Sequence, residues 1–117
     1  MIQKKTKDLI DEAVMEELNG AIDSHGTYFT SKHQLYAVLK EEVEEVREIL
    51  FKFKSFMHIF WLSVRGKEIK DVKHYSDKKH LEIMSNNARL IALEACQVAA
   101  VCEKAIDSIV DDKLVND

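Results

Sequence analysis

"SKHQLYAVLKEEVEEVREILFKFKSFMHIFWLSV", residues 31–64, decides the fold. The run contains neither glycine nor proline. It is far longer than a strand and reads as one helix. Steps of four and three residues pick out Leu35, Leu39, Glu42, Val46, Ile49, Phe53, Phe56 and Phe60. A row with a period near 3.5 is the seam of a helix packed lengthwise against another. Every position is apolar except Glu42. At the front, "SKHQ" has the form of a capping box, with Ser31 as N-cap and Gln34 three residues on. At the back, Arg65-Gly66 is a stop.

The flanks extend this pattern. A first helix is expected over Lys7–Leu18, capped by Thr6 and ended by Asn19-Gly20. A third is expected from a Ser76 cap, with Asp77 in its first turn, to about Lys113. Its seam reads Met84, Ala88, Ile91, Ala95, Val98, Cys102, Ala105, Ile109. The connector "GKEIKDVKHY", residues 66–75, has room for a short helical turn. Residues 1–117 are therefore expected to form a single all-α domain, a bundle of long antiparallel helices.

Composition narrows the function. The chain has no proline, three glycines, 46% hydrophobic and 32% charged residues, and a net charge of −4. That charge gives no bias toward nucleic acid or a membrane surface. The most apolar run, "SFMHIFWLSV", is too short to span a bilayer, which takes about 20 residues. "MIQKKTKDLIDE" turns charged at once, unlike a signal peptide. Cys96 and Cys102, six positions apart on one helix, point to different faces and read as reduced thiols. The expected location is cytoplasmic. Phe51, Ile59, Trp61 and Leu62 lie off the seam of the second helix. A helix apolar on several sides is usually covered on several sides. A second copy of the chain is therefore expected to complete the core. Trp61 is also a candidate for stacking on a base.

Glu42 remains. A lone carboxylate in an apolar seam is costly unless it is paired or binds a metal. Glu45 follows one turn on, and Glu41 precedes. In an antiparallel hairpin turning near residue 70, facing residue numbers add to about 140. Glu45 with Glu94, and Glu42 with Gln97, each add to 139. Three carboxylates and an amide oxygen then converge, a hard-oxygen set suited to Mg²⁺ or Mn²⁺.

"EEVEE" at 41–45 and "EACQ" at 94–97 resemble the signature of the MazG-like, all-α nucleoside triphosphate pyrophosphohydrolases. That signature is E-E-x-x-E on one helix and E-x-x-D on a later one, and the resemblance covers roughly residues 31–110. It implies a homodimer or homotetramer. It implies Mg²⁺ on Glu42, Glu45 and Glu94, with Gln97 in place of the usual aspartate and Glu41 as an accessory catalytic acid. It implies hydrolysis of a nucleoside triphosphate to the monophosphate and pyrophosphate. Lys52 and Asn87 are the candidates for phosphate or ribose contacts. Gln97 removes one negative charge, so a non-catalytic helical module on the same scaffold is the alternative.

Overall fold

In the computed structural model, residues 3–66 and 76–114 are described. The connector 66–75 falls outside this set from residue 67 on, and the helical turn expected there with it. Three helices account for most of the rest: α1, Lys4–His25; α2, Lys32–Val64; and α3, Asp77–Val110. No strand occurs among the described residues.

Both long helices start as their caps dictate. Ser31 Oγ accepts the Gln34 amide at 3.0 Å. Gln34 Oε1 reaches back to Thr30, accepting from its backbone N–H at 2.8 Å and its hydroxyl at 2.9 Å. Ser76 Oγ accepts from Lys79 N at 3.2 Å. Gly66, at φ +69°, ends α2 where Arg65-Gly66 predicted.

The first helix departs from expectation. It starts at Lys4, with no side-chain cap from Gln3, and passes through Asn19-Gly20 to His25. Glycine inside a helix costs only about 1 kcal/mol. Leu18, buried at the last turn before Gly20, and the half-buried Ala21 and Ile22 beyond it outweigh that cost. The real stop is Gly26, at φ +87°, whose N–H closes on Ile22 O at 2.9 Å.

The chain divides into two compact units, 1–44 with 94–117, and 45–93. The first unit holds every buried apolar side chain among the described residues: Leu18, Phe29, Ala100 and Ala105. Its corner is pinned by Ser108, which is fully buried. Ser108 Oγ accepts from Phe29 N at 2.9 Å and donates to Lys104 O at 2.8 Å. Beside it the Tyr28 hydroxyl donates to Asp111 at 2.5 Å, and this bond holds the phenol above its ordinary pKa. In the second unit, the Ser63 hydroxyl donates to Asp77 at 2.8 Å, and Phe56 stacks tilted on buried His80 with ring centroids 6.2 Å apart. In the second unit Ser63 meets Asp77 and Phe56 meets His80, so late α2 runs antiparallel to early α3.

The α2 seam is as expected: all eight of its positions are half-buried. The α3 seam is rotated. Ala88, Ala95, Cys102 and Ile109 are exposed. The inward row is His80, Met84, Asn87, Ile91, Glu94, Val98, Val101, Ala105 and Ser108. Polar groups turn inward because their neighbours can satisfy them, as the two bonds of Ser108 illustrate.

Candidate metal centre and its cavity

Each of the two long helices places a glutamate inward. Glu42 occupies the α2 seam, and Glu94 occupies the corrected seam of α3. Gln97 follows Glu94 by about one turn, on the same side. In the amide orientation that satisfies both acids, Gln97 Nε2 donates to Glu94 Oε2 at 2.7 Å and to Glu42 Oε2 at 3.3 Å. The expected level pairing of Glu42 with Gln97 is therefore present. The amide protons place partial positive charge between two carboxylates that would otherwise repel. The expected ligand atom, the amide oxygen, faces the other way, and a half-turn of the amide brings it round.

Glu42 and Glu94 both belong to the first unit, and Glu45 opens the second. Carboxylate oxygens are hard, anionic donors of the kind Mg²⁺ and Mn²⁺ take.

Beside Glu42 the first unit encloses a cavity of about 630 Å³, within the usual range for a small-molecule site. α1 contributes Glu17, Gly20 and His25, and α2 contributes Gln34 and Glu41. Gln97, Ala100 and Lys104 line it from α3. At Gly20 an added Cβ would meet nothing within 4 Å, so the wall is open there.

Lys104 is the residue that the sequence reading missed. It is 6% exposed, with its ammonium 4.5 Å from the centre of the Phe29 ring. Among the described residues it forms no ion pair and its amine makes no hydrogen bond. Burial pulls its pKa below the ordinary lysine value. The signal was present in the spacing: Lys104 lies seven positions after Gln97, on the same face of one helix.

Lys52, Asn87 and Trp61 all belong to the second unit. Lys52 is exposed. Asn87 points inward, and its buried Nδ2 has no hydrogen-bond partner among the described residues. Trp61 is half-exposed, with the Arg65 guanidinium 6.0 Å from its ring centre. Both cysteines are free thiols; Cys96 is half-buried and Cys102 exposed. None of the described helices is long and apolar enough to cross a membrane. Comparisons with protein-family models, curated proteins and solved structures yield no match.

Proposed function

We propose that the chain is a Mg²⁺-dependent pyrophosphohydrolase of the MazG-like kind, converting a nucleoside triphosphate to the monophosphate and pyrophosphate. The inward placement of the Glu42 and Glu94 carboxylates in the first unit, bridged by Gln97, carries this reading. When bound, the cation would offset phosphate charge and lower the pKa of an attacking water. The chain's own part is to hold and orient. Glu42, Glu45 and Glu94 would fix the cation, and Gln97 would tie two of them together. Glu41, on the cavity wall, would accept the proton of the water. The test is pyrophosphate release from a panel of nucleoside triphosphates with Mg²⁺ or Mn²⁺. Release is expected, falling roughly a hundredfold in Glu42→Gln. No release from any triphosphate would defeat the catalytic reading. It would leave the second one, a non-catalytic binding module, which the bridging amide of Gln97 favours.

We also propose that the chain self-associates through its second unit. That unit buries no apolar side chain fully among its described residues. Its α2 segment instead exposes Leu50, Met57, Trp61 and Val64, which recur at helical spacing on one face, and Phe51 beside them at 72% exposure. Of the four residues expected there, Ile59 and Leu62 are half-buried. Apolar stripes of this kind are normally covered by a partner. Sedimentation at micromolar concentration is expected to show a dimer or tetramer, and Trp61→Glu with Met57→Lys a smaller species. A monomeric wild type would refute the proposal.

A further inference from the structure

We infer that Lys104 is an anion subsite, which holds the phosphate end of a polyphosphate ligand in the cavity of the first unit. The inference rests on the metal reading for where the ligand's other end lies, and on Lys104 for the rest. A lysine that is 6% exposed has given up much of its hydration. Structural lysines that do so usually gain a carboxylate in exchange. Lys104 has only the face of Phe29, at 4.5 Å, a weaker partner than an anion. Its side chain lines a cavity large enough for a small molecule, about 630 Å³. A largely buried side chain whose ammonium is unpaired beside open space is a poor stabiliser and a prepared anion receptor.

The other walls set the ligand's class. Glu17, Glu41 and Glu42 also line the cavity. They would repel a bare anion, so the anion enters as its cation complex. Gln97 and Lys104 stand two turns apart on α3, about 10 Å along the axis. A chain of phosphates held by a cation beside Glu42 and Glu94 spans that separation once the lysine side chain extends toward it. A lone carboxylate does not.

The test is calorimetric titration of the full chain with Mg²⁺ alone, inorganic pyrophosphate alone, and pyrophosphate with Mg²⁺. Wild type, Lys104→Met and Lys104→Arg are compared, with Lys104→Gln as the substitute if the methionine variant does not fold. Magnesium pyrophosphate is expected to bind wild type. The affinity is expected to fall about tenfold or more in Lys104→Met and to stay within about threefold in Lys104→Arg. Mg²⁺ alone is expected to bind all three alike. Equal affinity of wild type and Lys104→Met for the complex overturns the subsite, as does magnesium binding with no pyrophosphate binding; the metal reading survives both. Lys104-dependent pyrophosphate binding without any magnesium binding does the reverse. Binding of neither probe overturns both.

Discussion

Gln97→Asp is expected to lower the melting temperature of the metal-free chain while raising its magnesium affinity by roughly tenfold or more. In the wild type the Gln97 amide donates to Glu94 and Glu42 at 2.7 and 3.3 Å. Aspartate removes both donors and adds a like charge to a half-buried acidic site. Losing hydrogen bonds to charged groups costs on the order of 1–3 kcal/mol. In a domain of this size that is a fall of several degrees, about 4–8 °C per kcal/mol. A divalent cation reverses the balance, because the new carboxylate becomes a ligand. Glu42→Gln is the mirror experiment: weaker metal binding, and a metal-free chain at least as stable as the wild type. Melting curves with and without magnesium, with calorimetry, read both. If Gln97→Asp destabilises the chain equally with and without the ion, the glutamates do not form a cation site, and Glu42 serves packing alone.

Lys104→Met is expected to stabilise the chain at neutral pH by about 1 kcal/mol, because it removes a desolvated charge with no ionic partner. Few substitutions at a buried charged residue stabilise, so the sign is informative. The groups facing the same cavity are Glu17 and His25 from α1 and Glu41 and Glu42 from α2. None of them makes an ion pair with the ammonium among the described residues. The pKa of Lys104 is lowered on folding from its ordinary 10.5. The unfolded chain therefore binds more protons between the two values, and wild-type stability rises with pH in that window. Below the lowered pKa the wild type carries the full penalty, and the advantage of the methionine is greatest. It shrinks as pH climbs toward 10.5. Urea denaturation at pH 7 and at the alkaline end of the window measures the difference. A variant less stable than wild type at pH 7 would mean that the contact with Phe29 outweighs the lost hydration.

How far the sequence could be read differs between the two long helices. In α2 the seam was legible because apolar residues occupy it almost without exception, and the one exception, Glu42, marked the site. In α3 the same logic slipped by one residue. Ala88, Ala95, Cys102 and Ile109 make a tidier apolar row than Asn87, Glu94, Val101 and Ser108, yet the second row faces inward. An apolar pattern cannot register a polar group whose partner lies on another segment, as that of Ser108 lies on Phe29. Glu94 was found despite the slip because spacing from Glu42 and Glu45 does not depend on which row is the seam. Asn19-Gly20 misled for a different reason. A local stop signal was overridden by packing on both sides of it.

The placement of the interhelical bonds bears on the order in which the chain assembles. Ser63 and Asp77 are only 14 residues apart, whereas Phe29 and Ser108 are separated by 79. Closing the longer loop carries an extra entropy cost of about 1.5 kcal/mol. The contacts of the second unit can therefore form before those of the first. With no proline in the chain, no slow isomerisation interrupts their formation. But the second unit lacks a fully buried apolar side chain among its described residues, and the first has four. The unit that closes with the least entropy loss is thus the unit with the least to hold it shut. Commitment to the native state is therefore expected to wait on the contact of Phe29 with Ser108.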